Sequence, residues 1–468
     1  MAGISMGTTE AIVDFVTQTT SEDIPAEVFK HAKRHVIDTL GVAIGATLEP
    51  LADNLAAVVA GLREGETALW NGRGRTTALE AAWVNGTLAH ALDFDDGGVA
   101  LTPMHPSSPV LAAVWALSES RNLSGTDALS AYIIGLEVEC KIASAISLSH
   151  YDHGWHATPV IGVLGAVAAT SWLARLNADQ TRNAIGIAAS LAGGLQANFG
   201  TMTKPLHAGI ACRNGLVATL LAKAGWTANP AILETDNGFF KVFACGEIKD
   251  LNNFGKPFHF LSPGVSLKRF PTCSATHLGI EAILALKRDH ALTADQVESI
   301  ECGVHALSLQ ALRQELEVQT AEEARFSLHF AAAIVLLEGS VELKHFSQAT
   351  FKRADVRALM KRVRVYLHPE LSDLESKKSN FADVIVGRKD GSSISKRETQ
   401  IRGRAPLVLD DSEVDAKFRG CVEPVLGGKN CQALLENLHS LESLEEVKTV
   451  FPAAYGLACF SAGSSATS

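Results

Sequence analysis

Four short strings in this 468-residue sequence concentrate side chains that move protons or hold anions. The first is His90-Ala91-Leu92-Asp93-Phe94-Asp95-Asp96-Gly97-Gly98, followed by Met104-His105-Pro106-Ser107; it sets three carboxylates within four residues at the expected end of a helix. The negative end of a helix dipole disfavours anions, so these carboxylates need a cation, a proton or water beside them, in a functional pocket or on a solvated helix end. His and Asp can ligate metals, but the spacing fits neither an EF-hand loop nor a His-x-x-x-His zinc helix, and no metal is expected. The second string, His150-Tyr151-Asp152-His153-Gly154-Trp155-His156, places three His in seven residues ahead of an apolar helix. Imidazoles titrate near neutrality, as acid–base catalysis requires, although His-rich surface loops are also common. The third, Thr201-Met202-Thr203-Lys204-Pro205-Leu206-His207-Ala208-Gly209, follows Gly193-Gly194 and Gly200. Backbone N–H groups at a helix start plus the Lys204 charge would cradle a carboxylate or phosphate; a Gly-rich turn with a solvent lysine is the alternative. The fourth, Lys268-Arg269-Phe270-Pro271-Thr272-Cys273-Ser274-Ala275-Thr276-His277, again sets cations and a His near a helix start. A nucleophilic Cys273 is disfavoured, because nearness to a His in sequence does not pair them in space.

Helices must position most of these groups. From residue 8 to about 260 the apolar residues recur with helical period; Asp23-Ile24-Pro25 opens one helix whose Val28, Ala32, His35, Val36 and Leu40 share a face. Further helices are expected at about 77–93, 107–120, 125–148, 158–175, 178–193, 208–224 and 229–243, divided by Gly, Asn, Asp and Ser breaks. Two stretches without a charged side chain, Ala157 to Ala174 and Asn183 to Thr203, are Ala- and Gly-rich and read as buried bundle helices rather than membrane spans. After Pro263-Gly264 the pattern becomes α+β. A helix at about 276–289, a strand from Val297 to Val304, a helix at about 320–338 and strands at Val363 to Leu367 and Ala382 to Val386 are expected. Asp390-Gly391-Ser392 then makes a hairpin into a polar run ending near Ile401, and helical periodicity returns at Ser412. The expected fold is mainly α: a large all-helical domain built from 1–265 and 405–460, a smaller α+β domain over 266–404, and a disordered tail at 461–468.

Apolar residues make up 47% and charged residues 20% of the chain, which excludes a disordered, collagen-like or disulfide-stapled protein. With 41 Lys and Arg against 51 Asp and Glu, the formal charge of −10 argues against a nucleic-acid partner; an anionic substrate must be met by cations gathered locally. The eight cysteines contain no C-x-x-C pair and no zinc spacing, and the opening MAGISMGTTEAIVDF has no secretory or transit pattern, so the expected compartment is the cytoplasm. The sequence carries neither a dinucleotide-binding glycine fingerprint nor an iron–sulfur grouping, and proton chemistry without a cofactor is expected.

In this order and at these intervals, the four strings resemble the MmgE/PrpD family, which contains 2-methylcitrate dehydratases, cis-aconitate decarboxylases and iminodisuccinate epimerase. The resemblance runs from about residue 8 to 455 and includes Asp23-Ile24-Pro25, Val36-Ile37-Asp38-Thr39-Leu40-Gly41, and Glu322 with Ala324-Arg325-Phe326-Ser327. It implies the MmgE/PrpD fold, with the smaller domain a lid, an active site between the two domains, and a homodimer. It implies a shared pocket holding Asp93, His105, His156, Lys204 and His277. In that pocket His105, His156 and His277 would share acid–base work, Asp93 would orient a His or act as the base, and Lys204, Arg269 and Lys268 would hold substrate carboxylates. Three departures stand out. Gly97 occupies a position where the decarboxylases have Thr, they have two fewer residues before the following His, and Phe330 stands where they have a functional Tyr. The expected activity is therefore a lyase of the 2-methylcitrate dehydratase type, acting on a small di- or tricarboxylate by proton abstraction next to a carboxylate. An isomerase or epimerase of an iminodisuccinate-like dicarboxylate comes second and a cis-aconitate-type decarboxylase third. A carboxylate-binding protein is the non-enzymatic alternative, and no membrane partner is expected.

Overall fold

In a computed structural model, which describes residues 7–59, 64–99, 102–147, 149–246, 248, 251–372 and 381–451, helix α1 (Thr8–Gln18) leads into a turn where Thr20 and Asp23 cap each other. Pro25 then precedes helix α2 (Ala26–Gly45), its fixed φ and missing N–H suiting a helix start. The tail expected at 461–468 lies outside the described residues. The chain divides into two compact units, Met1–Leu267 with Asp410–Ser468, and Lys268–Leu409. The fold is mainly α with a small sheet region.

The first unit continues with α3 (Pro50–Val59), α4 (Ala78–Ala91), α5 (Ser107–Ser120), α6 (Gly125–Ala145), α7 (Ala157–Leu173), α8 (Ala178–Ser190) and α9 (Thr203–Lys223). A last helix, Asp411–His439, bends at Gly427 and packs on α2. Every residue of α7 is buried, as a helix without a charged side chain or a polar face requires. It is flanked by α5, α6 and α9, and α9 also lies along α4. That last contact is close because Gly86 of α4 faces Gly209 and Cys212 of α9. A Cβ on Gly86 would sit 2.5 Å from Cys212 Sγ and 3.0 Å from Gly209 Cα, and one on Gly209 would collide with Trp83 O and Thr87 Oγ1. Among the described residues, no single helix is long and apolar enough to cross a membrane.

The helix expected at 208–224 begins earlier, at Thr203, and three other expected helices are shortened or divided. The stretch Asn183 to Thr203 is helical only to Ser190; Gly193 and Gly194, the latter at φ +140°, open a loop that runs to α9. The helix expected at 229–243 is reduced to Phe239–Val242, because the Asn229 side chain accepts from Ala231 N (2.9 Å) and Phe239 N and Phe240 N fold back onto Ile232 O and Leu233 O. The helix expected at 320–338 is two, Ala321–Arg325 and Leu328–Glu338, since Ser327 Oγ accepts from Phe330 N (3.1 Å) and starts the second one afresh. The all-helical reading of the first unit is also corrected by a short antiparallel ladder, Thr67–Ala68 with Arg75–Thr76.

The second unit is built on strands β1 (Val297–Val304), β2 (Val363–Leu367), β3 (Ala382–Arg388) and β4 (Ser393–Glu398) in the order β2-β1-β3-β4. Ile300 pairs in parallel with Val363 and antiparallel with Val386, which pairs with Ile394. The hairpin turn forms because Asp390 Oδ1 accepts from Ser392 N (2.9 Å) and Oγ (2.6 Å) and Gly391 takes φ +86°. Helix α10 (His277–Asp289) covers β3 and β4, and together with Leu328–Glu338 it closes a core that includes Ile280, Ile283, Ile300, Phe330 and Ile334.

Candidate active site

Helix α4 delivers His90, 1% exposed, in its last turn; the chain then reverses at Asp93, whose φ of +50° is a left-handed conformation that Asp and Asn tolerate better than other non-glycine residues. Asp93, Asp95 and Asp96 are all buried, which removes the solvated helix end as a description of this string. Asp96 accepts from Ser107 N (3.0 Å) at the start of α5, where the dipole favours an anion, and from the Ser107 hydroxyl, while His35 Nδ1 lies 2.9 Å away. Asp95 meets His90 Nδ1 at 2.9 Å, accepts from the Ser108 hydroxyl, and lies 3.2 Å from His105 Nδ1. Lys417 of the last helix ties the string down, donating to Phe94 O (2.6 Å) while pairing with Asp38 (2.6 Å).

Asp93 faces the positive groups. Lys204, buried in the first turn of α9, donates to its Oδ1 at 2.5 Å, and His105 Nε2 lies 3.5 Å from the same oxygen. The half-buried His105 ring therefore spans two carboxylates, Asp93 through Nε2 and Asp95 through Nδ1. His156, at the N-terminus of α7, donates its backbone N–H to Gly194 O (3.0 Å), and its Nδ1 lies 3.1 Å from His207 Nδ1. Its ring stacks 5.7 Å from His90 and meets Phe199 edge-on at 4.9 Å; His90 in turn lies 4.4 Å from His105. Residues up to 111 positions apart along the chain and bonded to one another, such as Asp93 and Lys204, thus form one connected cluster inside the first unit.

Burial sets the protonation states. His90 is pushed down to about 4 by burial and then by the Lys204 charge. Burial, followed by His90 and Lys204, holds His156 well below the usual imidazole range, and burial with Lys204 lowers the half-buried His207. Burial alone would raise Asp95, but the adjacent His105 and His90 outweigh it and keep the carboxyl well below its ordinary range. A neutral His90 facing ionised Asp95 carries its hydrogen on Nδ1, which leaves a buried Nε2 lone pair with no hydrogen-bond partner among the described residues. The cluster therefore combines the Lys204 side chain, an ionised Asp95 carboxylate and, at His90 and His156, imidazoles held neutral by burial. His90, Asp95 and His105 also offer ligand atoms within 4.8 Å of one another, so a divalent cation, if one binds, would be held there.

The structure brings together Asp93, His105, His156 and Lys204 of the expected site residues. His277, Lys268 and Arg269 belong to the second unit. There His277 is buried, its Nε2 lying 3.2 Å from Thr272 O and its ring 5.3 Å from Phe270; Lys268 is buried, and Arg269 pairs with Glu281 of α10 at 3.1 Å. Phe330 is fully buried, its ring 5.6 Å from Phe346 and 5.5 Å from Phe351. Three cluster members were missed as site residues. His90 and Asp95 stood in the acidic string itself, and His207 stands three residues beyond Lys204, a spacing that puts both on one helix face.

Family models for the MmgE/PrpD N-terminal domain and the MmgE/PrpD C-terminal domain match residues 10–251 and 270–442. The cis-aconitate decarboxylase of Homo sapiens is 29% identical over 434 residues, covering 90% of this chain and 88% of that protein. That of Mus musculus is 30% identical, with 90% and 87% covered, and that of Aspergillus terreus is 27% identical over 469 residues, with 94% of each covered. With both domain models matched in order along one chain, this protein belongs to the MmgE/PrpD family.

Proposed function

We propose that the chain is a lyase that acts on a small di- or tricarboxylate by moving protons next to a carboxylate, and that a cis-aconitate-like allylic acid is its first substrate. The observation that carries this reading is the buried Asp93–Lys204–His105 cluster with His90 and His156 beside it, a fixed cation among groups able to exchange protons. Similarity to the decarboxylases over nine-tenths of the chain supports the substrate class. In such a decarboxylation the C–C bond to the departing carbon dioxide breaks and its electron pair becomes a new double bond. The old double bond shifts its pair onto the carbon beside another carboxylate, and that carbon takes a proton. Lys204 would hold the charge that develops there, Asp93 would hold Lys204, and His105 and His156 would carry the protons. His277 as a further proton carrier and Lys268 and Arg269 as carboxylate holders complete the proposed set, in a cofactor-free, cytoplasmic homodimer.

Dehydration of a 2-hydroxytricarboxylate is the second reading, favoured by Phe330: its ring packs against Phe346 and Phe351 and supplies no phenol to donate a proton. Proton NMR in D₂O with cis-aconitate, citrate, 2-methylcitrate and iminosuccinate separates the readings. Carbon dioxide release with new methylene protons marks the decarboxylase, alkene protons from the hydroxy acids mark the dehydratase, and deuterium entry at the α-carbon without net conversion marks an epimerase. Losing one fixed cation or proton carrier costs about 10²-fold or more in rate; near-wild-type turnover by both His105→Ala and Lys204→Ala would remove the basis of the proposal.

A further inference from the structure

His156 is 1% exposed, so a proton it gives up must be replaced through another group. The ring that touches it on the solvent side is His207, half-buried on α9, with the two Nδ1 atoms 3.1 Å apart. A nitrogen–nitrogen contact of that length is a hydrogen bond only if one ring carries hydrogen on Nδ1 and the other presents a lone pair there. The surroundings hold this arrangement in place. Gly194 O anchors the His156 backbone N–H at 3.0 Å, and a Cβ on Gly194 would collide with Pro159 Cγ at 2.6 Å in the first turn of α7 while standing in ordinary contact, 3.4 Å, with the His207 ring. The charged and titratable groups that face the pair are Lys204 on α9, His90 on α4, and His105 on the loop ahead of α5.

We propose that His207 is a positioning and relay residue: it carries protons between solvent and His156 through the shared Nδ1···Nδ1 hydrogen bond. The relay rests on the proton-transfer reading above. A proton taken from water on His207 Nε2 drives the shared hydrogen onto His156 Nδ1. His156 then releases its Nε2 proton to the carbanionic carbon of the substrate; the N–H bond breaks with its electron pair left on nitrogen, and the carbanion pair becomes the C–H bond. One proton enters at His207 and one leaves from His156 in each turnover; the pair is then left with its hydrogens on His207 Nε2 and His156 Nδ1, and tautomer exchange of both rings with water after product leaves restores the starting arrangement.

The test compares full-length wild type, His207→Ala, His207→Asn and His153→Ala with cis-aconitate as substrate. Removing the relay is expected to lower kcat by about 10²-fold, the lower end of the range for general acid–base steps, with KM little changed. The rate of His207→Ala should then rise with added imidazole and with buffer concentration, and its pH profile should differ from that of wild type. Exposed His153, whose Nδ1 lies 2.7 Å from Ser149 O and 3.4 Å from Ser149 Oγ in its own turn, serves as the control and should leave the rate unchanged. A wild-type rate in His207→Ala, or a loss that imidazole does not restore, overturns the proposal. A second arm needs no turnover: ¹⁵N-labelled wild type should show one imidazole N–H correlated with nitrogens of both rings, retained in His153→Ala and lost in His207→Ala. Absence of that signal in wild type overturns the relay. Its presence in a protein that turns over no carboxylate tested would instead fault the functional reading.

Discussion

Acidifying the protein tests the buried His90 directly. Burial and Lys204 take this imidazole from an ordinary 6.5 down to about 4, and its side chain is wholly inside the first unit. In the unfolded chain it binds a proton near 6.5, so between 6.5 and about 4 the unfolded state holds more protons than the folded one. Stability therefore is complete above 6.5 and falls as the pH drops through that window. At pH 4.5 the penalty of keeping this one ring neutral is about 2.5 kcal/mol, against almost nothing at pH 7. His156, His207 and His259 are shifted the same way by burial, so the wild-type loss is larger than His90 alone explains. Comparison with His90→Asn isolates the term, because the Asn amide can still donate to Asp95 but does not titrate. Urea unfolding at pH 7.0 and 4.5 should show the variant losing about 2.5 kcal/mol less than wild type on acidification. Equal losses in both proteins would refute the assignment of a neutral, sealed His90.

Lys204→Met strips the buried Asp93 carboxylate of its cation and should cost about 3–5 kcal/mol in urea unfolding, whereas Lys204→Met with Asp93→Asn should recover most of it; a double variant no better than the single one would contradict the ion-pair reasoning. Glu139 is fully buried with neither carboxyl oxygen hydrogen-bonded among the described residues, and burial and then the Asp96 charge push it well above the usual range. Its folded-state affinity for a proton is raised, so its contribution is present at low pH and lost as the pH rises. Glu139→Gln should therefore gain on wild type in urea midpoint between pH 5 and pH 9, and parallel pH curves would refute this. Exhaustive dialysis against a chelator should leave kcat unchanged, whereas a loss restored by zinc or manganese would assign His90, Asp95 and His105 to a metal.

The long periodic elements were legible because a helix face or a strand alternation repeats one local rule: α5 begins and ends where the sequence pattern does, and so do the strands Val297–Val304 and Val363–Leu367. Errors collected where side chains override periodicity, at the Ser327 cap, the Asn229 turn and the Gly193-Gly194 loop. For the site, residue types were visible and partners were not. Nothing local in the string from His90 to Asp96 says that Asp96 goes to Ser107 and His35 while Asp93 goes to Lys204, since those partners lie up to 111 residues away. Burial was equally invisible. A run of three acids looks soluble until its helix is enclosed on several sides.

The glycine contact between α4 and α9 acts as a ruler. Gly86 and Gly209 carry no reactive atom, yet they fix the spacing between the helix that ends in the acidic string and the helix that begins with Lys204 and His207. One added methyl would push these two helices apart by more than the few tenths of an ångström over which a hydrogen bond stays strong, and a displacement of about 1 Å at a reacting centre can lower a rate by about 10²-fold. The tolerance of the chemistry is thus set at a position that neither substrate nor proton visits, and the rate can be tuned there without altering any group that takes part.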